Sequence, residues 1–109
     1  MAVESIIAGV MNYLRVLRDN GIPVHFGVVY GSHARGNPDF WSDIDVIVVS
    51  PRFDGVYSRK DIDRLWRLAA RTDSRIEPVP CGVNQWEEDG SSALLEIARR
   101  EGERVDLGG

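Results

Sequence analysis

Ile6, Ile7, Val10, Leu14 and Leu17 recur three and four positions apart, with Arg15, Arg18 and Asp19 mostly elsewhere, which predicts an amphipathic helix over 3–20. Asn20-Gly21 supplies its stop. Pro23 opens an extended stretch, and the β-branched and aromatic run from His25 to Tyr30 predicts a strand. That strand runs straight into Gly31-Ser32, where a short helical turn opens and Pro38 ends it. Ile44 to Val49 is an apolar run broken only by Asp45, a second strand closed by Pro51. Ile62, Leu65, Trp66 and Ala69 share one face of a helix over Lys60 to Arg71, which Ser58 or Asp61 could cap. Arg75 to Val79 reads as a short strand; with Pro78 and Pro80 beside it, it is either an edge strand or one that ends at Pro78. A last helix is expected over Ser92 to Arg104, with Leu94, Leu95, Ile97 and Ala98 inward and Trp86 anchoring the turn before it.

This alternation argues for an α/β or α+β two-layer sandwich, with a small mixed sheet of three or four strands and about four helices. At 109 residues the chain fits one domain, residues 1–109. A chain of this size buries roughly two-thirds of its unfolded surface and needs no disulfide or structural metal to fold. Its sequence shows no internal repeat, linker or low-complexity tract.

The stretch from Gly31 to Asp45 concentrates the chemistry. Glycine lets a backbone approach a ligand closely, and the free N–H groups of a turn that opens a helix make an anion site. Ser32 adds a hydroxyl donor. Arg35 stands about one helical turn on, where its planar fork suits phosphate oxygens, although a surface ion pair with Asp39 accounts for it nearly as well. Asp43 and Asp45 are two apart at the start of a strand, so both carboxylates project from one face while Ile44 and Val46 turn into the core. Two such carboxylates repel unless something positive lies between them. Magnesium takes hard oxygen ligands, usually one or two carboxylates plus substrate phosphates, and a pair of ions would stabilise both oxygens of an in-line displacement at phosphorus. Glu77 sits in an apolar setting where an acid needs a reason; if its strand lies beside that of Asp43 and Asp45, it comes within reach.

Gly31-Ser32, ten intervening residues, Asp43-Ile44-Asp45 and then Glu77 resemble the nucleotidyltransferase superfamily with the DNA polymerase β-like palm. The form Gly-Ser-x-Ala-Arg-Gly with Ser-Asp-Ile-Asp is similar to its minimal nucleotidyltransferase branch. The resemblance covers about residues 22–80, and Glu77 departs from it by standing where Asp is commoner. It implies that Gly31 and Ser32 hold the triphosphate of ATP, and that Asp43 and Asp45 bind magnesium, as two ions. Glu77 would complete the metal site or accept the acceptor's proton. On their own chemistry rather than by the family pattern, Arg35 and Ser42 join the nucleotide-binding set, Ser42 with the alternative of capping the turn before the strand. Minimal members are typically paired with a small helical protein of the HEPN type in toxin–antitoxin modules, where they act as the antitoxin, in some cases by adenylylating the toxin. The resemblance therefore implies AMP transfer to a hydroxyl of a protein partner, with neutralisation by contact alone as the alternative.

The remaining features bound this reading. A net charge of −4 argues against general nucleic-acid binding, though a nucleotide site needs only one or two local cations. The lone Cys81 forbids an internal disulfide and fits a reducing cytoplasm. Neither a signal segment nor an apolar run of membrane-spanning length is present, so a cytoplasmic protein is expected. Cys81 reads as a small buried or half-buried residue and Trp66 as core. His25 and His33 do not cluster; His33 is expected at the surface or rim. Trp41 could lie over a base or a partner. An exposed strand edge near Pro78, or the first helix, would support a homodimer.

Overall fold

The computed structural model describes residues 3–31, 33–34 and 42–107. Helix α1 spans Glu4–Asp19 and buries Ile6, Val10, Tyr13, Leu14 and Leu17, the expected stripe with Tyr13 added and Ile7 only half-buried. It ends at Gly21, whose φ of 90° suits glycine. The Ile22 N–H returns to the Leu17 carbonyl and the Gly21 N–H to that of Arg18. This paired closure satisfies two carbonyls that a helix end otherwise leaves bare. Ile22 and Leu17 are both fully buried, so the closure also feeds the core.

Four strands follow: β1 (Phe26–Tyr30), β2 (Ile44–Val49), β3 (Ile76–Cys81) and β4 (Glu103–Asp106). They lie in the order β3-β2-β1-β4. β1 pairs antiparallel with both β2 and β4, whereas β2 and β3 run parallel. A parallel neighbour needs a crossover. α2 (Arg59–Thr72) provides it, preceded by a single helical turn at Pro51–Phe53. Two shorter helices, α3 (Val83–Glu88) and α4 (Ala93–Glu101), lead from β3 to β4.

β3 is the edge strand that its prolines demanded, extended through both of them. Its Arg75 and Cys81 carbonyls accept from Ile44 and Ser50 of the neighbouring chain segment. Odd-numbered residues of β3 therefore aim their peptide groups at β2. Pro78 and Pro80 face the outer edge, where a missing N–H breaks no ladder bond. An edge lacking two donors is also a poor template for a further strand, which weighs against the expected use of this edge in a homodimer.

The central strands are apolar toward both faces, and both are covered. Val29, Ile44, Val46, Val48 and Ile76 pack with α1 and α2, while Phe26, Val28, Ile47, Val49 and Cys81 pack with Leu95 and Ala98 of α4. The expected two-layer arrangement is thus replaced by helices on both sides of the sheet, because continuous apolar strands such as β2 leave no face for water. Trp86, expected in a turn, lies in α3 and meets Phe26 edge to face at 5.9 Å. Asp54 reaches across to cap that helix, accepting from the Val83 and Asn84 N–H groups at 3.0 and 3.1 Å.

Three further expectations are corrected. α4 ends at Glu101, not Arg104, and β4 follows. Gly102 makes that reversal: a β-carbon there would overlap Val28 and the Ala98 carbonyl. Leu94 and Ile97 are exposed because only Leu95 and Ala98 of α4 point at the sheet. Trp66 is 47% exposed rather than core. The inward face of α2 is Asp61, Leu65, Leu68 and Ala69, turned by about a residue from the apolar stripe. Asp61 takes the inward position through its 3.0 Å ion pair with Arg52. Among the described residues no helix is long and apolar enough to cross a membrane.

Two bonds tie the helices and the sheet's working end. The buried Tyr13 hydroxyl donates to the Leu65 carbonyl at 2.8 Å, and burial pushes its phenol well above the ordinary range. Tyr13→Phe is expected to cost about 1 kcal/mol and lower the melting temperature by about 4–8 °C, read by thermal denaturation. Just before β3, Arg75 grips Asp73 through Nε at 3.0 Å and a terminal nitrogen at 2.8 Å. That hydrogen bonding holds the Asp73 carboxyl below its usual range. A depressed carboxyl adds stability above the unfolded pKa and loses it as pH falls through the folded one. The stability lost in Asp73→Asn should therefore be full at neutral pH and shrink below about pH 4, as urea midpoints at several pH values would show.

Candidate active site

At the end of β1 the chain turns left-handed at Gly31, with φ 76°. A β-carbon at Gly31 would overlap the Asp45 carboxylate. The turn backbone and that carboxylate thus lie directly against each other. Any other residue at position 31 would meet both the backbone strain and the carboxylate.

Strand pairing assembles the acids. Asp45 stands opposite Tyr30 of β1 on one side and Glu77 of β3 on the other. Their neighbours in alternation, Ile44, Val46 and Ile76, enter the α1–α2 core, so Tyr30, Asp45 and Glu77 form one row on the opposite face. Asp43 is exposed, one pleat further out, and its side chain hydrogen-bonds with that of Glu77.

The crowding shows in the titration of the row. Burial first, then the charge of Asp43, pushes the Asp45 carboxyl up, with His33 acting in the opposite direction. Glu77 is raised by desolvation, by the charge of Asp43, by their hydrogen bond and by Asp45. The half-buried Tyr30 phenol is pushed up to about 12 by burial and by the Asp45 and Glu77 carboxylates. This is a pocket of negative potential that a cation would relieve.

All of its acidic donors are hard oxygens, which suits magnesium. Among the described residues no three of His, Cys, Asp and Glu close into a cage that could hold a metal ion unaided. Magnesium does not require one, since it keeps several waters and is commonly held by one or two carboxylates with substrate phosphates. The donor set therefore fits an ion that arrives with a nucleotide.

Of the other expected site residues, Ser42 is half-buried immediately before Asp43. Ser32 and Arg35, together with Asp39 and Trp41, lie outside the described residues. His33 corrects its expectation. It is 3% exposed, not at the rim, and its Nε2 lies 3.1 Å from the Ser42 carbonyl. The chain beyond Gly31 folds back so that residues 33 and 42 meet, which a variable position inside a motif gave no reason to foresee. Tyr30 was also missed as part of the row, although alternation along β1 places it on the face of Phe26 and Val28.

A family model described as a nucleotidyltransferase domain matches residues 10–101. No curated protein matches the chain. Among solved structures, one of a toxin–antitoxin with AMP-PNP superposes with a TM-score of 0.63 at 22% identity, covering 90% of this chain and 73% of that one. A Shewanella oneidensis complex of a tri-AMPylated HEPN toxin with an MNT antitoxin gives a TM-score of 0.52 at 18% identity, covering 92% and 73%. At these identities the likeness is one of fold.

Relieving the crowding should stabilise the fold at the expense of the site. Glu77→Gln keeps a donor for Asp43 and removes one charge. Without nucleotide at pH 7 it is expected to melt higher than the native chain, by no more than about 4 °C because the half-buried group keeps part of its hydration and its charge is partly screened. Calorimetry of the two proteins in a chelating buffer checks this.

Proposed function

The chain belongs to the nucleotidyltransferase domain family, and from that premise we propose that it transfers AMP from ATP to a hydroxyl on a protein partner. The observation that carries the proposal is the adjacency of the Gly31 turn to Asp45, within a row that includes Glu77. The structures that share its fold add support: one is a toxin–antitoxin with AMP-PNP, another pairs an MNT antitoxin with an AMPylated HEPN toxin. A helical partner of that HEPN kind, neutralised in the cytoplasm by this chain as antitoxin, is the setting we favour.

Asp43 and Asp45 would hold magnesium, with Glu77 beside them. Bound there, the ion neutralises phosphate charge and polarises the phosphorus centre. The chain's own groups do the rest. N–H groups of the Gly31-Ser32 turn, the Ser32 hydroxyl, Arg35 and Ser42 grip the triphosphate and set the α-phosphorus in line with the acceptor. The acceptor oxygen bonds to that phosphorus, the bond to the bridging oxygen breaks and pyrophosphate leaves. Glu77, with its raised pKa, takes the acceptor's proton. Positioning and charge neutralisation supply most of the acceleration, as in related phosphoryl transfers.

The test is transfer of α-labelled ATP to a co-expressed helical partner in magnesium. Asp45→Asn is expected to lower the rate at least about a hundredfold. Equal labelling by the native chain, Asp43→Ala and Asp45→Asn would refute the catalytic assignment. Neutralisation of the partner by an Asp43→Ala chain that transfers nothing would favour action by contact alone.

A further inference from the structure

We infer that His33 is a positioning residue, whose ring ties the two ends of the β1–β2 connection together and so fixes the Gly31 turn against Asp43 and Asp45. This rests on the proposed function, in which those two ends hold the triphosphate and the metal.

The turn and the carboxylates belong to opposite ends of a long connection. β1 ends at Tyr30 and β2 begins at Ile44. A loop this long between antiparallel strands does not by itself dictate how its ends meet. His33 closes it, since its Nε2 reaches the Ser42 carbonyl at 3.1 Å across nine positions of sequence. A carbonyl only accepts, so Nε2 carries the proton and Nδ1 the lone pair. Ser42 immediately precedes Asp43, and Ile44 is already anchored through its N–H to the Arg75 carbonyl at 2.7 Å. The His33 bond thus extends the fixed segment outward through Ser42 and Asp43, the first assigned to the nucleotide and the second to the metal.

The other ring nitrogen argues that this bond is the reason for a histidine here. Nδ1 is buried and has no hydrogen-bond partner among the described residues. Leaving a buried acceptor unpaired is unfavourable, and an apolar side chain of similar size would fill the space without that penalty. A histidine kept merely for packing would be the worse choice. A loosened loop matters because small displacements of reacting groups are magnified: a misplacement of about 1 Å can cost a hundredfold in rate.

The experiment compares the native chain with His33→Gln, whose amide nitrogen can still donate to the Ser42 carbonyl, and with His33→Leu and the bulkier His33→Phe, which cannot. Hydrogen exchange in the peptide covering 42–45 is read first, without nucleotide or metal. It should be about tenfold faster in the apolar variants and within about threefold of native in His33→Gln. Affinity for ATP with magnesium should follow the same order, falling about tenfold in the apolar variants, while melting temperatures stay within about 4 °C. Native-like exchange in the apolar variants that fold would overturn the inference, as would exchange in His33→Gln as fast as in His33→Leu. If the native chain binds no nucleotide, the proposed function falls while the exchange data still decide the role of His33.

Discussion

Carboxylates repel one another, and a folded chain holds several on one face only when its backbone leaves them nowhere else to go. Here the backbone constraint is register. β2 is gripped by β1 on one side and β3 on the other, and the pairing that buries its apolar residues is the pairing that sets Asp45 between Tyr30 and Glu77. A slip of one residue would exchange the two faces of β2 and turn Asp45 toward the α1–α2 core. The hydrophobic core therefore enforces the electrostatic arrangement, and the crowded acids are carried by burial on both faces of the sheet.

The rest of the architecture protects that register. α1 and α2 seal one face, α4 seals the other, and the proline-bearing edge of β3 ends the sheet without offering another strand a full set of donors. Gly31 lets the chain leave β1 in a left-handed turn while the Asp45 carboxylate lies against it. At the far end of the sheet, Asp54 caps α3 from a different loop. That end is built for stability, whereas the end with Asp43, Asp45 and Glu77 carries repulsion that only a cation or a proton relieves. This division is expected where function needs charges the fold alone would not tolerate.

Much of the site was legible in advance because its parts are short-range. Asp43 and Asp45 share a face by the period of a strand, and Gly31-Ser32 marks the turn by the freedom of glycine. Glu77 stood out as an acid in an apolar stretch, yet its place beside Asp45 depended on β3 lying parallel to β2 in one register, which no local pattern encodes. His33 was misplaced at the surface, since its burial depends on where the chain returns nine residues later. Trp66, Leu94 and Ile97 were assigned inward because apolar character was read as burial. The inward face of α2 instead carries Leu68 and Asp61, the latter paired with Arg52.

What this sequence determined by itself is whatever depends on neighbours along the chain: three of the four strands, the two longest helices, the stop at Gly21, the glycine turn, and two aspartates on one face of a strand. Tertiary structure alone decided the strand order, the coverage of both faces, β4, and the meeting of Gly31, Asp45 and Glu77. β4 shows the reason most plainly. Glu103–Asp106 has one buried residue, Val105, and becomes a strand only because β1 offers an unpaired edge and Gly102 lets the chain approach it. Propensity and periodicity act over a few residues, whereas pairing energy is released only when distant segments are already side by side.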